Sequence, residues 1–378
     1  MKKIFRKIHL WLSIPFGVCI TLICFSGAML VFEKEITELC RHDLYFVKEV
    51  KSRPLPIDSL MKCASAALPD SVSVTGLTIS QNPGKAWQAN LSKPRRASIY
   101  IDQYTGEIKG RNERLPFFTT MFRLHRWMMG SSNGAGKMIV GISTLMLVII
   151  LLTGLLMWLT NRNKPLAKSL RISFTKGWPR FWHDLHVAGG IYVTVFLLAL
   201  ALTGLTWSFS WYRSGFYRIL GAETSAVTGG QQQNTRQNAV HGQGRNAGRA
   251  QSQSVHWQTV YDSLLLSCPE YRQITISDGS ASVVPKGRTS LRSGDRYEFN
   301  PRNGKIISVK PYKEQDKAAK IRSAVYTVHV GSWGGMLTRI LTFIAAMLGA
   351  TLPVTGYYLW IKKLIKKKKP HVNNDETR

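Results

Sequence analysis

Apolar and polar positions along this chain are not evenly interleaved; they are sorted into long blocks. Four runs, residues 10–32, 138–159, 187–209 and 336–360, are 22 to 25 residues long and nearly free of charge. As helices they cover roughly 33–37 Å, enough to cross a hydrocarbon core of about 30 Å. The pattern predicts four membrane spans. Between the spans the period changes. Residues 72–110 alternate as strands do, and Ile99-Tyr100-Ile101-Asp102-Gln103-Tyr104-Thr105-Gly106-Glu107-Ile108 predicts a hairpin turning at Tyr104–Gly106. Residues Tyr297 to Ile307 repeat that strand–turn–strand with Asn303-Gly304 as the turn, and helices are predicted ahead of each hairpin, over about 56–68 and about 256–268. Residues 228–254 are rich in Gln, Asn, Gly and Arg with almost no large apolar side chains, which predicts a disordered insertion.

Charge changes the picture in one respect, by giving the spans a direction. The net charge is +30, yet only 19% of residues are charged while 44% are apolar, and the apolar residues are clumped. A soluble nucleic-acid binder and a purely cytosolic enzyme are excluded; the lipid bilayer is the expected partner, and no nucleic acid is. Residues 1–8 hold four Lys/Arg, 161–180 hold six and 361–378 hold seven, against the two acids Asp375 and Glu376. Short basic segments stay in the cytoplasm. The expected location is a bacterial inner membrane, multi-pass, with both termini cytoplasmic. The first apolar run is too long for a signal-peptide core and lacks an Ala-x-Ala site, so it reads as a retained span.

The expected division follows. Residues 1–32 form the cytoplasmic N-terminus and first span, 33–136 a first periplasmic domain and 137–160 the second span. Residues 161–186 form a cytoplasmic loop, 187–212 the third span and 213–335 a second periplasmic domain carrying the insertion. Residues 336–361 form the fourth span and 362–378 a basic cytoplasmic tail. The outer segments are also basic, fifteen Lys/Arg to ten acids and seventeen to eight, but long segments translocate regardless of charge. Cys19 and Cys24 lie within the first span; Cys40, Cys63 and Cys268 lie outside, where a disulfide is permitted but not demanded. No C-x-x-C-H occurs, which excludes covalent c-type haem attachment.

The spans repeat a feature. Each carries a small-residue step near its far end: Ser26-Gly27-Ala28, Thr153-Gly154, Thr203-Gly204 and Thr355-Gly356. A histidine precedes each step, His9, His125, His186 and His329, at separations of 18, 29, 18 and 27 residues. The alternation matches span one with three and two with four, a tandem duplication in which both copies run the same way. Singly, each of these residues is an ordinary interfacial histidine. Four at equivalent places in a duplicated unit point to more. A pseudo-twofold axis along the membrane normal brings His9 opposite His186 and His125 opposite His329, the arrangement that bis-histidine haem ligation requires. Gly130, Gly189, Gly190, Gly331, Gly334 and Gly335 lie nearby, where a flat macrocycle needs close access to backbone.

Competing metals fare worse. Two imidazoles without a nearby thiolate or carboxylate are a poor zinc set. Copper held by histidine with Met128, Met129 or Met336 ranks below haem. His183 lies three residues before His186 on the same helical face, as a second candidate ligand or a supporting residue. Trp11, Trp127 and Trp182 lie close to the candidate histidines, although tryptophans at span ends are ordinarily interface anchors.

The chain resembles the PepSY-associated transmembrane family, a group described as iron-regulated membrane proteins that includes ferric-siderophore reductases. The resemblance rests on Ile8-His9-Leu10-Trp11, Leu124-His125-Arg126-Trp127-Met128-Met129-Gly130 and Phe181-Trp182-His183-Asp184-Leu185-His186-Val187-Ala188-Gly189. Leu151 to Trp158, Val354 to Trp360 and the hairpin signature Ile101 to Glu107 complete it. It implies a membrane all-α four-helix transmembrane bundle with two PepSY-like α+β periplasmic domains, and b-type haem, two per chain, ligated by His9, His186, His125 and His329. The expected function is electron transfer across the inner membrane to reduce a periplasmic ferric-siderophore. The cytoplasmic segments are too short for a nucleotide-binding domain, so the donor is a separate cytoplasmic protein or a quinol. The competing expectation is a non-enzymatic PepSY-type membrane protein that binds or restrains a periplasmic partner.

Overall fold

The computed structural model describes residues 2–94, 97–160, 169–222 and 256–368. The insertion expected over 228–254, most of the loop after the second span and the end of the basic tail lie outside the described residues. The chain divides into a helical unit (1–31, 116–213 and 328–378) and a sheet unit (32–115 and 214–327).

Four helices of the helical unit are long and apolar enough to cross a membrane: Lys3–Val31, Ala135–Leu159, Trp178–Ser208 and Gly335–Ile365. These are the four predicted spans, with two differences. The third begins at Trp178 rather than at residue 187, because Gly177, at φ 78°, turns the chain and Pro179 fits the first helical turn. Within it, Leu185–Gly189 forms a π-turn, the local widening that often accompanies a functional side chain. Pro15 and Pro353 are accommodated inside the first and fourth spans.

Two further helices that hydropathy alone does not reveal carry the other two candidate histidines. Pro116–Trp127 ends in His125, and Lys317–His329 ends in His329. The expected four-helix bundle is thus supplemented by the ends of two shorter helices, too polar to register as spans. The first of them closes unusually. Met128 and Met129 both adopt left-handed backbone (φ 45° and 66°), so that the Met128 and Met129 N–H groups bond Leu124 O and Arg123 O. Two such residues cost of order 1–3 kcal/mol each. The Arg123 guanidinium caps the Met129 carbonyl at 3.0 Å, and the Trp127 carbonyl lies so close to Gly136 that any side chain there would collide with it.

The sheet unit corrects one expectation. In place of two separate α+β domains, the two outer segments build a single eight-stranded antiparallel sheet in the order β4-β3-β2-β1-β5-β6-β7-β8. Strands β1 (Val74–Ser80), β2 (Trp87–Leu91), β3 (Ser98–Ile101) and β4 (Ile108–Arg111) come from the first segment. Strands β5 (Tyr271–Ser277), β6 (Ser280–Pro285), β7 (Asp295–Phe299) and β8 (Ile306–Lys310) come from the second. β1 pairs β5 through Leu77↔Ile276, Thr78↔Thr275 and Ile79↔Ile274. Gly76 lets this junction close, since a Cβ there would meet the Ile276 carbonyl at 2.9 Å. Isolated four-stranded halves would each leave a long apolar edge bare; pairing them removes it.

Both predicted helices lie over this sheet, with apolar residues at i, i+3, i+4 and i+7. Ile57, Leu60, Met61 and Ala64 of Ile57–Ala66 are buried, as are Trp257, Val260, Tyr261 and Leu264 of Trp257–Ser267. They share one core with Leu77, Ile79, Ile99, Ile101, Ile274, Ile276, Val283 and Phe299. Both expected hairpins are present: Gly106 N bonds Asp102 O in the first, and Gly304, at φ 68°, bonds Asn300 O in the second.

One polar group in this unit is poorly placed. Asp58 Oδ1 is buried without a hydrogen-bond partner, and desolvation pushes the carboxyl above its ordinary range despite the pull of Lys62 and His256. A raised carboxyl favours the protonated form in the folded state. Its cost is therefore full above the folded value and vanishes as pH falls below the unfolded value of about 3.9. Asp58→Asn is expected to increase the hydrogen-exchange protection of the Ile57–Ala66 amides at pH 7, with the gain shrinking toward pH 4. A gain that grows on acidification would contradict this.

Candidate functional site

Each small-residue step of the sequence turns out to be a seat for a histidine from another helix. In an α-helix the carbonyl four residues before a glycine lies on the same face, one turn away. Where that glycine lacks a Cβ, an incoming ring can reach the carbonyl. His9 Nδ1 donates to Ile150 O at 3.0 Å beside Gly154, and His186 Nδ1 to Leu352 O at 3.1 Å beside Gly356. His329 Nδ1 donates to Leu200 O at 3.0 Å beside Gly204, and His125 Nδ1 to Ile23 O at 2.9 Å beside Gly27. A Cβ on these glycines would meet the imidazole Cε1 at 3.3 Å (Gly154 and Gly356), 3.1 Å (Gly204) or 2.8 Å (Gly27).

The residue before each glycine completes the seat. Thr153, Thr203 and Thr355 are buried and bond their hydroxyl hydrogens back to their own helix. Their oxygens are left to accept from His9, His329 and His186 Nδ1 at 3.3, 3.0 and 2.9 Å. Ser26 occupies this place beside Gly27 but bonds only to Leu22 O and Ile23 O. With the Nδ1 proton committed to a carbonyl, the neutral tautomer leaves Nε2 as a lone-pair donor. Where an imidazole binds a metal, such a hydrogen bond from its other nitrogen orients the ring and raises its basicity.

The four rings meet as two pairs. His9 and His186 have centroids 6.3 Å apart with planes at 89°, and His125 and His329 have centroids 6.1 Å apart at 48°. Metal–nitrogen bonds of about 2 Å on either side, added to ring radii of about 1.1 Å, put two axial imidazole centroids about 6 Å apart. The two imidazoles of each pair would fit the two-nitrogen ligand set of an iron porphyrin. Among the described residues there is no group of three or more His, Cys, Asp or Glu side chains that could hold a metal ion. Met129 and Met336, candidates for copper, are exposed.

Of the two inner candidates, His186 faces His9. The half-exposed His183 instead donates through Nδ1 to Asp184 Oδ1 at 3.2 Å. The tryptophan that touches a paired imidazole is not one of those singled out by proximity in sequence. It is Trp207, edge-on to His329 with centroids 5.0 Å apart. Trp11 is exposed, Trp182 packs on Trp178 and Tyr358, and Trp127 packs on Phe122. The glycines that border imidazoles are those of the small-residue steps, not the six near the histidines in sequence. Gly331 and Gly334 pack on Thr338 and Thr342 instead.

The family profile described as the PepSY-associated TM region matches residues 6–363. A search of curated proteins gave no match. A profile match over nearly the whole length agrees with four helices long and apolar enough to span a membrane: this chain is a membrane protein of the PepSY-associated TM region family.

Proposed function

We propose that the His9/His186 and His125/His329 pairs each hold one b-type haem and that the protein passes electrons across a bacterial inner membrane to a ferric complex, a ferric-siderophore above all. The observation that supports this reading most is the repeated seat: four imidazoles, each with Nδ1 tied to a backbone carbonyl, meeting in two pairs at axial-ligand separation. When bound, haem supplies one-electron exchange between Fe(III) and Fe(II). The chain's own task is positional. The carbonyl and threonine acceptors hold each Nδ1 proton, so ring orientation is fixed before any ligand arrives and no proton need move. The His9/His186 pair sits between apolar spans, against Ile150 and Leu352.

The finer reading places His9/His186 at the cytoplasmic side, His125/His329 at the periplasmic side and the eight-stranded sheet outside as two PepSY-like halves of a duplication. The basic short segments and the matching halves support it. Siderophores present hard oxygen donors matched to Fe(III), so one-electron reduction loosens their hold on iron. The electron comes from a separate cytoplasmic protein or a membrane quinol.

The test is direct. Protein purified in detergent is expected to show a Soret band, and dithionite to bring up sharp α and β bands. On adding a ferric-siderophore to the reduced protein, those bands should decay as Fe(II) appears in a chelator assay. A folded, colourless protein would support a non-enzymatic periplasmic binding role instead.

A further inference from the structure

The connection between β6 and β7 is a basic loop held in one shape. Residues 286–292 carry Lys286, Arg288 and Arg292 and no acid. Neighbouring stretches of the sheet unit pin its backbone. From β5, Arg272 Nη1 donates to Arg288 O and to Thr289 O, both at 2.8 Å. Thr327 Oγ1 is hydrogen-bonded to Ser290 Oγ at 3.0 Å, and Gln315 Nε2 donates to Gly294 O at 2.9 Å. Two of the loop's cations lie over aromatic rings. The Arg292 guanidinium is 3.7 Å from the centre of the Tyr326 ring, and that of Arg288 is 5.3 Å from the centre of Tyr312. The donors of a guanidinium lie in its own plane, so stacking leaves them free to bind. Nearby acids do not neutralise the site. Glu270 pairs with Lys286 at 3.6 Å, Asp295 and Asp316 accept from the Tyr312 and Ala319 N–H groups, both at 2.6 Å, and Glu314 stands exposed beside Lys313. Among the described residues no carboxylate lies within ion-pair distance of Arg272, Arg288 or Arg292.

Resting on the haem reading above, we propose that this loop docks the ferric complex and selects complexes of net negative charge, tris-catecholates above all. Three catecholate dianions on Fe(III) leave the complex an anion, whereas three hydroxamate anions leave the iron site neutral. Hydrogen bonds from a guanidinium to anionic oxygen are strong and directional, and a flat guanidinium–tyrosine platform suits a flat anionic ring. Because the loop is already tied down, little order is lost on docking. Lys317–His329 is one helix, so Tyr326 of the platform stands one turn ahead of His329. Docking there fixes the complex to the helix that carries His329.

The experiment is a calorimetric titration of the full chain in neutral detergent with the gallium(III) complex of a hexadentate tris-catecholate, which carries the charge of the ferric complex but takes no electron. Arg288→Gln and Arg292→Gln are each expected to weaken binding about tenfold. Arg302→Gln, an exposed arginine in the turn at the other end of β7, is expected to leave it unchanged. A gallium(III) trihydroxamate should bind about tenfold more weakly than the tris-catecholate. Equal affinity for the two complexes, an affinity within about threefold of the parent for either loop variant, or an equal loss in Arg302→Gln overturns the proposal. So does a loss of co-purified phosphatidylglycerol from the loop variants, read by native mass spectrometry, while gallium binding holds; that result assigns the loop to lipid. Gallium binding needs no haem, so the two readings fail separately. A colourless protein that still binds the tris-catecholate through both arginines overturns the haem reading alone, and a haem-loaded protein whose binding ignores them overturns this one alone.

Discussion

His329→Ala is expected to halve the haem bound per chain and to leave the remaining half with an unaltered spectrum. The reason lies in how the pairs are built. His329 shares its partner His125 with no other candidate, and its seat on Leu200, Thr203 and Gly204 is separate from those of His9 and His186. On the proposed haem reading, removing it deletes one of the two imidazoles of one pair and leaves the other pair's geometry alone. His186→Ala should remove the complementary half, whereas His183→Ala should spare both, because His183 bonds Asp184 and does not face His9. The measurement is haem stoichiometry by pyridine haemochrome alongside reduced-minus-oxidised spectra. Equal losses from His183→Ala and His186→Ala would undo the assignment of the inner pair.

The second large effect comes from residues with no chemistry of their own. Adding one methyl group at the four seat glycines is expected to weaken haem retention in a fixed order. Gly27→Ala should be worst, since its Cβ would stand 2.8 Å from His125 Cε1; Gly204→Ala follows at 3.1 Å, and Gly154→Ala and Gly356→Ala at 3.3 Å are mildest. At the tightest seat the imidazole must move off its carbonyl, and disturbing such outer partners typically lowers metal affinity 10–100-fold. Gly215→Ala is the control, because nothing lies within 4 Å of its Cβ. Haem lost on dialysis from each variant checks the ranking, and an order unrelated to these distances would count against the seats.

Much of this was legible in the amino-acid sequence, for a physical reason. Spans announce themselves through long uncharged runs, so all four appeared with ends within a turn or two, except at Trp178, where a glycine turn and a proline extended the helix through polar residues. The helix pair over the sheet was visible because Ile57, Leu60, Met61 and Ala64, and again Trp257, Val260, Tyr261 and Leu264, repeat at helical spacing. The joining of β1 to β5 was not, since strand pairing between segments some two hundred residues apart leaves no local pattern. The four histidines stood out by their repeated spacing to Ser-Gly and Thr-Gly steps. What those steps do was hidden, because a glycine that admits a ring and a glycine that admits a helix look the same in one dimension. Trp207 was missed as a neighbour of His329 for the same reason: the two lie 122 positions apart in the chain.

The seats have a reciprocity that bears on how such a molecule arose and how it holds together. His9 rests on the second span and His125 on the first; His186 rests on the fourth and His329 on the third. Each hairpin of the chain therefore furnishes its own two imidazole rests, while each ring's opposite number belongs to the other hairpin. A half-length forebear with this layout would have presented two preset ligands and lacked their counterparts until it met a second copy of itself. In a single chain the covalent link keeps the two hairpins, and with them the paired rings, together.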